Sequence, residues 1–324
     1  MQYQKLGKTE WQVSRAALGT WAPDRSVWTK EHDKLFRQGM EAALASGVNF
    51  FDTAECYGDG YAEDLLGREL KNNRENVYVA SKVWFDHLKK EDTVRACENS
   101  LKRLGMDYLD LYYIHYPDPR KEIPVEETME AMLDLKERGL IRAIGVSNFT
   151  LKQLKTVCKM GRIEAVQPGY SLLWRSIDKE VKPFCAENQI SVIPYGPTAA
   201  GILTGKYDNS FKLPLNDDRN GTFLYSPEYF PIGVELAEKV KPIAEKYHVT
   251  CGQMAINWLL WQEGICSVLI GGKTPEQIRQ NLGSFSLIPE EDDLRYLDGI
   301  SREASARLPQ WTSYFKDLGQ PMDE

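Results

Sequence analysis

Four ionisable side chains stand where short apolar segments of the chain end. Asp52, Lys82 and His115 close three successive apolar runs, and Tyr57 lies in the loop that follows the first run. Asp52 and Lys82 are 30 residues apart, and Lys82 and His115 are 33 residues apart. This is the length of one strand and one helix, so the pattern predicts that the three side chains end neighbouring parallel strands.

These residue types suit the donation of a proton to a developing alkoxide. A phenol has a pKa of about 10, which is too high for an efficient acid near neutral pH. A nearby ammonium group favours the phenolate, so Lys82 is expected to lower the pKa of Tyr57. Asp52 would hold Lys82, and a neutral His115 would orient the substrate oxygen. The set predicts reduction of a carbonyl compound with hydride from a nicotinamide.

The interpretation depends on the four residues as a set. A single strand-end Asp, Lys or His most often forms a salt bridge or caps a loop, and Lys82 with Asp52 also fits a buried structural pair. The chain contains no G-x-S-x-G nucleophile segment and no paired histidines that would bind zinc. Neither a hydrolase nor a metal site is therefore predicted.

A second set of residues is expected to bind the cofactor. The G-x-G-x-x-G fingerprint is absent, but Gly271, Gly272 and Lys273 lie between the last predicted strand and the last helix of the repeat. Glycines let a phosphate approach the backbone, the helix N-terminus attracts it and Lys273 adds charge. A tight turn with a solvated lysine is the alternative. Other strand ends carry hydrogen-bonding or stacking side chains: Ser147, Asn148, Gln167 and Tyr195.

Short apolar strands alternate with amphipathic helices along the chain. The predicted strands are 16–21, 48–51, 77–81, 109–114, 141–146, 165–167, 191–195 and 267–270. The predicted helices are 31–46, 60–71, 91–104, 124–138, 150–160, 177–188, 250–262 and 274–283. Eight strands alternating with eight helices predict an α/β protein with a (β/α)8 TIM barrel, in which functional residues gather at the C-terminal ends of the strands.

Several segments lie outside this repeat. Residues 1–15 predict an N-terminal β-hairpin, and 233–247 and 290–302 predict extra C-terminal helices. The Gly- and Pro-rich segment 196–232 is long for a connection within a compact domain and is expected to be functional. No low-complexity linker interrupts the chain, so residues 1–324 are expected to form a single domain.

The composition predicts a globular protein that binds no nucleic acid and spans no membrane. The 324 residues are 42% hydrophobic and 27% charged, and the net charge of −7 argues against a surface for phosphate backbones. The chain has no run of about 18 apolar residues. The N-terminus lacks the apolar core of a signal peptide, and the six cysteines are dispersed without a C-x-x-C motif. A cytoplasmic location with reduced thiols is predicted, and an oligomer is compatible with it.

Seven motifs along the chain form a specific set. They are the segments 52–58, 80–82, 114–115, 145–149, 195–197 and 271–281, together with Gln167. Together they resemble the aldo-keto reductase superfamily over nearly the whole chain, and its bacterial inositol-utilisation-type and potassium-channel-β-like branches are the most similar. The resemblance implies a (β/α)8 barrel that binds NADP(H), with NAD(H) possible, across its C-terminal face. It implies a catalytic tetrad with Tyr57 as the proton donor: Asp52, Tyr57, Lys82 and His115.

The resemblance also implies where the cofactor would lie. Ser147, Asn148 and Gln167 would hold its carboxamide, and Tyr195 would lie under the nicotinamide ring. Further positions near the pyrophosphate and the adenosine complete the set. The expected cofactor-binding residues are Thr20, Trp21, Ser147, Asn148, Gln167, Tyr195, Gly196, Pro197, Leu203, Gly205, Lys206, Gly272, Lys273, Gln277, Gln280 and Asn281.

Departures from the family pattern bear on the choice of cofactor. Gln277 stands where many members have an arginine, and Gln280 stands where many have a glutamate. Lys273 would still bind the 2′-phosphate, so NADPH is expected over NADH. The segment 198–200, which reads Thr-Ala-Ala, also differs from the usual loop sequence.

Aromatic side chains are expected to line the substrate pocket. Trp21, Trp84, Phe85 and Trp174 would form an aromatic mouth, with Trp311 near the C-terminus as a further member. Such walls suit aromatic or apolar carbonyl compounds, and indole rings also stack on sugars. A small carbonyl or sugar-like compound is therefore the expected substrate.

Three other functions fit parts of the same pattern. A sugar or cyclitol dehydrogenase would use the same scaffold toward oxidation. A nucleotide-sensing regulatory subunit, as in the channel-associated branch, would bind the cofactor tightly, turn over little and need a partner protein. A lyase that forms a Schiff base through Lys82 would need this lysine to be free of Asp52.

Overall fold

The structure consists of a β-hairpin followed by a parallel barrel of eight strands. The computed structural model describes residues 1–21, 30–272 and 274–323. The antiparallel hairpin comprises β1 (Tyr3–Lys5) and β2 (Gln12–Ser14). The barrel strands are β3 (Ala16–Gly19), β4 (Phe50–Asp52), β5 (Tyr78–Val83), β6 (Leu109–Ile114), β7 (Ile141–Ser147), β8 (Ala165–Gln167), β9 (Ser191–Val192) and β10 (Val268–Ile270).

Backbone hydrogen bonds close the barrel through its last strand, β10, which has neighbours on both sides. The strands pair in chain order from β3 to β9, and β10 pairs with β3. Between β9 and β10, the Val192 amide donates to the Gly264 carbonyl at 3.2 Å, and the Leu269 amide donates to the Pro194 carbonyl at 3.0 Å. The predicted α/β fold, a (β/α)8 barrel with an N-terminal hairpin, is therefore confirmed.

The alternation of side chains along each strand decides which residues reach the barrel interior. Phe50, Ala80 and Tyr113 belong to the interior cluster, whereas Phe51 and Tyr112 pack under the surrounding helices. Because successive strand residues point to opposite faces, a residue two positions beyond an interior residue is also interior. At the C-terminal ends of the strands, these interior positions are occupied by Asp52, Lys82, His115, Ser147, Gln167 and Tyr195.

Helices surround the barrel and extend its C-terminal half. They are α1 (Lys30–Ala45), α2 (Tyr61–Leu70), α3 (Lys90–Leu104), α4 (Val125–Glu137), α5 (Leu151–Met160), α6 (Val181–Glu187), α7 (Phe230–Lys246), α8 (Cys251–Leu260), α9 (Pro275–Leu282) and α10 (Glu291–Ser305). Thr150 and Thr250 cap α5 and α8, each in a capping box with a glutamine three residues later. Within the described ranges, none of these helices has the length and apolar character needed to cross a membrane.

Several elements are shorter than the sequence pattern predicts, and for α6 and β9 the cause can be identified. Helix α6 begins at Val181 instead of residue 177, because the Asp178 carboxylate accepts a hydrogen bond from Arg175 in a turn before the helix. Strand β9 ends at Val192 instead of residue 195, because Pro194 has no amide hydrogen to donate to a neighbouring strand.

Two segments cover the C-terminal end of the barrel. We call residues 196–229, which follow β9, the long loop, and residues 309–323, which follow α10, the C-terminal tail. The Phe223 amide of the long loop donates to the Tyr314 carbonyl of the tail at 3.0 Å, and Thr222 pairs with Phe315. The two segments thus hold each other over the ends of the strands.

Candidate active site

Asp52 and Lys82 form an ion pair at the C-terminal end of the barrel interior. The fully buried Lys82 ammonium donates to Asp52 Oδ1 at 2.5 Å and to the Thr53 carbonyl at 2.7 Å. The Tyr57 hydroxyl lies 3.4 Å from the same Nζ. The other Asp52 oxygen accepts a hydrogen bond from Gln167 Nε2 at 2.8 Å. The structure thus brings three of the four expected catalytic side chains into direct contact.

The contacts of this ion pair restrict its chemistry. Removal from water raises the pKa of the Asp52 carboxyl, while the Lys82 ammonium and the Gln167 amide oppose that rise. A Schiff base needs a free amine, whereas the Lys82 amine is engaged with two oxygen atoms. This geometry argues against the lyase alternative.

The loop after β4 turns sharply where it presents Tyr57. Gly58, Asp59 and Gly60 have positive φ angles of 57°, 52° and 85°, which suit glycine best. Burial raises the pKa of the Tyr57 phenol well above its ordinary value, and the Asp52 carboxylate adds to the rise. The lowered pKa predicted from the sequence is therefore wrong, because desolvation dominates. The phenol is protonated at neutral pH.

The His115 imidazole forms one wall of the site. Burial lowers its pKa well below the usual value and the Lys82 ammonium adds to this effect, so the ring is neutral at neutral pH. The ring lies edge-on to those of Tyr57 and Trp84, with centroids 5.8 Å and 5.0 Å away. Its Nδ1 is 3.7 Å from the Cys56 Sγ, and burial raises the pKa of that thiol to about 12. Cys56 is therefore a packing residue rather than a nucleophile.

The lowered pKa of His115 predicts a pH-dependent stability. In the unfolded chain this histidine takes up a proton as the pH falls through about 6.5, whereas the folded state resists protonation. The unfolded state then binds more protons, so the free energy of unfolding falls on acidification. Between pH about 7 and about 5, we expect His115→Gln to lose less stability than the native protein in urea unfolding. Equal losses would show that the histidine is not held neutral.

Hydroxyl and amide groups form a network beside the ion pair. Asn148, at a positive φ of 61°, donates from Nδ2 to the His115 carbonyl at 3.0 Å and to Ser147 Oγ at 2.9 Å. Ser147 Oγ donates to the Gln167 carbonyl at 2.6 Å, and the Tyr195 hydroxyl donates to Asn148 Oδ1 at 2.7 Å. The structure thus brings together all four residues that are expected to meet a nicotinamide.

The start of the long loop carries five of the expected cofactor-binding residues. Gly196, Leu203, Gly205 and Lys206 are expected to cover the pyrophosphate, and Pro197 lies among them. Gly196 and Gly205 have φ angles of 67° and 72°, a left-handed conformation that glycine adopts without a steric penalty. Leu203 is buried in the core, and the Lys206 ammonium lies 4.8 Å from the centre of the Tyr207 ring. The buried leucine anchors a loop whose turns depend on glycine.

Helix α9 begins a few residues after β10, at the same end of the barrel. Thr274 caps it by accepting a hydrogen bond from the Gln277 amide at 3.3 Å, and Asn281 Nδ2 donates to the Gly271 carbonyl at 2.8 Å. These bonds fix the turn against the helix. Gln277 and Gln280, two of the expected cofactor-binding residues, lie on its exposed surface.

Two features of this region fit a bound dinucleotide. A Cβ on Gly272 would lie 2.9 Å from the Ile278 side chain, so a glycine keeps the turn close to the helix. Thr20, at the end of β3, is buried, and its Oγ1 has no hydrogen-bond partner among the described residues. A buried hydroxyl without a partner is costly, which makes Thr20 a candidate for a ligand contact. Lys273, the expected phosphate ligand, lies outside the described residues.

Three of the aromatic side chains expected in the substrate pocket lie at the mouth of the barrel. Trp84 and Phe85 pack on each other with ring centroids 4.6 Å apart, beside His115. Trp21 is 49% exposed and meets the ring of Phe315 edge-on at 5.9 Å. Trp84 thus places an apolar ring directly against the expected catalytic residue His115.

Trp174 lies in the core, and its prediction as a pocket residue is wrong. It is 1% exposed, its Nε1 donates to the Pro309 carbonyl at 2.9 Å, and its ring packs against Tyr314 and Phe223. Trp311 is half-buried, with its ring edge-on to Phe223 at 5.7 Å. Both tryptophans anchor the C-terminal tail, because large aromatic rings gain most from leaving water.

Some residues at the site are missed by sequence reasoning. Glu55 Oε1 accepts a hydrogen bond from the Trp84 amide at 2.6 Å and contacts His87 Nδ1 at 3.1 Å, which ties the loop after β4 to the loop after β5. Tyr116 Oη lies 3.1 Å from Ser313 Oγ of the C-terminal tail. The sequence does contain a signal for Glu55, because this carboxylate follows closely after the strand end at Asp52. Nothing in the sequence pattern connects Tyr116 with Ser313, which is 197 residues away.

Comparisons with known proteins find relatives along nearly the whole chain. The model of the Aldo/keto reductase family matches residues 15–302. Aldo-keto reductase YhdN from Bacillus subtilis (strain 168) is 34% identical over 289 residues, which cover 86% of this chain and 87% of that protein. The NADH-specific methylglyoxal reductase of Escherichia coli (strain K12) is 30% identical over 304 residues, which cover 87% of this chain and 93% of that protein.

Solved structures share the architecture. The glycerol dehydrogenase from Gluconobacter oxydans superposes with a TM-score of 0.83 at 27% identity, over 94% of this chain and 96% of that chain. An aldo-keto reductase from Klebsiella pneumoniae in complex with NADPH superposes with a TM-score of 0.75 at 27% identity, over 97% of this chain and 98% of that chain. The similarity therefore extends over nearly the whole chain.

Proposed function

The chain belongs to the aldo/keto reductase family, and from this premise we propose that it is an NAD(P)H-dependent oxidoreductase that reduces aldehydes or ketones to alcohols. One observation carries the proposal. The buried Lys82–Asp52 ion pair holds an ammonium 3.4 Å from the Tyr57 hydroxyl. Such a set can deliver a proton to a developing alkoxide and stabilise the phenolate that remains, which is the proton chemistry of carbonyl reduction.

We propose NADP(H) as the cofactor, with NAD(H) as the alternative, and its nicotinamide supplies the hydride when bound. Ser147, Asn148 and Gln167 would hold the carboxamide through groups that already form one network, and Tyr195 would stack on the ring. The unpartnered Oγ1 of Thr20 supports a polar ligand at this end of the barrel. Relatives named as NADH-specific or solved with NADPH support both forms of the cofactor.

Tyr57 would donate its proton to the substrate oxygen as negative charge develops there. Because burial raises the pKa of the phenol, the proton is in place at neutral pH. The Lys82 ammonium stabilises the phenolate that results, Asp52 holds the ammonium, and Gln167 holds Asp52. The neutral His115 orients the same oxygen by a hydrogen bond.

A stopped-flow screen of NADPH oxidation against a panel of carbonyl compounds tests this function. The aromatic mouth formed by Trp21, Trp84 and Phe85 favours flat or apolar carbonyl compounds, with sugar-like ones as a second class. Rapid loss of NADPH absorbance with at least one class is the expected result. Tight NADPH binding without turnover on any compound would instead fit the nucleotide-sensing regulatory subunit.

Oxidation of a polyol, sugar or cyclitol with NAD(P)+ is the second candidate. The similarity to a glycerol dehydrogenase, with a TM-score of 0.83, favours it. Tyr57 would then accept the proton, so the reaction would need its phenolate. Because burial raises the pKa of this phenol, reduction should be faster than oxidation near neutral pH. Values of kcat/KM measured in both directions distinguish the two candidates.

Lys273→Ala is expected to weaken the binding of NADPH but not that of NADH. The prediction rests on the sequence: the lysine follows a glycine turn and precedes α9, whose N-terminus attracts a phosphate. One charge-assisted hydrogen bond is worth about 1.5–3 kcal/mol, so the Kd for NADPH should rise roughly 10- to 150-fold. Fluorescence titrations with both cofactors, on native and variant protein, measure the effect.

Arg279→Ala is the matched control for this prediction. It removes a positive charge from α9, the helix that follows Lys273 in the sequence, where Arg279 pairs with Glu276 at 3.5 Å. Both affinities should stay unchanged. An equal loss for NADPH and NADH in Lys273→Ala would place the lysine in pyrophosphate contact or in folding. No loss for either cofactor would make it a solvated lysine.

A further inference from the structure

Ser313 of the C-terminal tail lies between two tyrosines at the mouth of the barrel. It is fully buried, and its Oγ is 3.1 Å from the Tyr116 hydroxyl and 3.3 Å from the Tyr195 hydroxyl. Tyr116 directly follows His115, and Tyr195 is the residue proposed to stack on the nicotinamide. A hydroxyl from the far end of the chain therefore bridges two strand ends of the site.

The direction of each hydrogen bond in this cluster follows from the donors available. Asn148 Nδ2 faces the His115 carbonyl at 3.0 Å, and since a carbonyl only accepts, Oδ1 must be the atom that faces Tyr195 at 2.7 Å. Oδ1 also only accepts, so the single proton of the Tyr195 hydroxyl is committed to Asn148. The proton between Tyr195 and Ser313 must therefore come from Ser313.

Tyr116 supplies the next proton in the same direction. Since Ser313 donates its only proton to Tyr195, it accepts one from the Tyr116 hydroxyl, and it also accepts from the Phe315 amide at 3.2 Å. A hydroxyl has one proton and two lone pairs, so Ser313 is saturated. The bonds run one way, from Tyr116 through Ser313 and Tyr195 to Asn148, and each bond polarises the next.

Packing holds the same aromatic ring in place. The Tyr314 ring meets that of Tyr195 at an interplanar angle of 67°, with centroids 5.3 Å apart. A Cβ on Gly196 would lie 2.8 Å from the Tyr314 hydroxyl, so the backbone after Tyr195 is in close contact with the tail. The Tyr195 ring therefore has its hydroxyl bonded on two sides and a second ring against it.

We propose that Ser313 is a positioning residue, which fixes the tilt of the Tyr195 ring and so the plane in which a nicotinamide lies against it. This inference rests on the proposed function, because Ser313 acts on the cofactor only through Tyr195. A small error in the position of the reacting atoms slows a reaction more than it weakens binding. The loss of one neutral hydrogen bond corresponds to about a 2- to 10-fold effect.

Ser313→Ala tests the proposal, with Thr312→Ala as the matched control. The Thr312 hydroxyl accepts a hydrogen bond from the Gln320 amide at 3.1 Å within the tail. We expect Ser313→Ala to slow hydride transfer in single-turnover stopped flow by about 2- to 10-fold, with a smaller change in the Kd for NADPH. Thr312→Ala, which removes a hydroxyl from the same segment, should leave the transfer rate unchanged.

Two further readouts separate positioning from folding of the tail. The circular dichroism of the bound nicotinamide should change in Ser313→Ala and not in Thr312→Ala, and this readout needs no turnover. In a double-mutant cycle, Tyr116→Phe should add little to Ser313→Ala, because both changes break the same chain of hydrogen bonds.

Several outcomes would overturn the positioning role. One is that the transfer rate and the dichroism are both unchanged in Ser313→Ala. Another is that Ser313→Ala and Thr312→Ala lose the same fraction of the transfer rate. The third is that the effects of Ser313→Ala and Tyr116→Phe on the transfer rate are additive. A failure of the proposed function is recognised separately, because the native protein would then transfer no hydride to any carbonyl compound. The dichroism of bound NADPH would still decide whether Ser313 orients the ring.

Discussion

Tyr57→Phe is expected to remove most carbonyl reduction and to leave cofactor affinity nearly unchanged. The ring keeps its place beside His115, and the variant loses the hydroxyl that lies 3.4 Å from Lys82. General acid catalysis is typically worth about 10²–10⁴-fold, so kcat should fall by a factor in this range. Steady-state kinetics and NADPH titration on the same preparation measure both quantities.

Tyr112→Phe is the matched control. Tyr112 is a fully buried tyrosine of β6 whose ring faces the surrounding helices rather than the barrel interior. Like Tyr57→Phe, this variant removes a phenol oxygen. Tyr112 is close to His115 in the sequence but lies on the other face of the sheet, so kcat should stay at the native value. Near-native turnover of Tyr57→Phe would remove Tyr57 from the mechanism. A loss confined to NADPH affinity would place the hydroxyl in cofactor binding.

Lys82→Met is expected to reduce both turnover and stability. The variant leaves the Asp52 carboxylate buried without a cation, and breaking a buried ion pair in this way costs roughly 3–5 kcal/mol. The variant also lacks the ammonium that stabilises the phenolate of Tyr57, so kcat should fall by about 10²-fold or more. Urea unfolding and stopped-flow kinetics measure the two effects.

The pH dependence of the same variant has a predicted sign. Reduction needs the protonated phenol, so its rate falls as the pH rises through the pKa of Tyr57. Removal of a nearby positive charge disfavours the phenolate and raises this pKa further. The alkaline limb of the kcat profile should therefore move to higher pH in Lys82→Met. An unchanged profile with normal activity would contradict the coupling of Tyr57 to Lys82.

A double variant separates the catalytic role of the ion pair from its structural role. Replacing both members in Lys82→Met/Asp52→Leu removes the unpaired carboxylate, so much of the lost stability should return. Turnover should stay low, because the ammonium beside Tyr57 is still missing. Recovery of turnover together with stability would show that the pair serves only to hold the fold.

The positions of the central side chains could be predicted because strands have a period of two residues. Phe50 and Asp52 share one face of β4, and the regular spacing of strand-helix units puts Lys82 and His115 on the equivalent faces of the next strands. The helices predicted to start at residues 150 and 250 begin directly after Thr150 and Thr250, which cap them. These features depend only on short-range order along the chain.

Features that depend on burial could not be predicted from the pattern. The pKa of Tyr57 rises because the folded barrel excludes water from its phenol, and residue types alone give no measure of that exclusion. Trp174 reads as a rim residue in the sequence, yet the C-terminal tail packs over it and makes it part of the core. The contact of Ser313 with Tyr195 joins residues 118 positions apart. The role of Lys273 and the extent of a single domain over residues 1–324 stay predictions.

Transfer of hydride to the carbonyl carbon is tested most directly by following the hydrogen itself. The native protein would be mixed with a carbonyl substrate and with NADPH that carries deuterium at both C4 positions of the nicotinamide. We predict an alcohol with one deuterium on the carbon that bears the hydroxyl, detected by mass spectrometry and NMR. Oxidation of NADPH without deuterium in the alcohol, or no alcohol from any carbonyl compound while NADPH is bound, would contradict the proposed reductase.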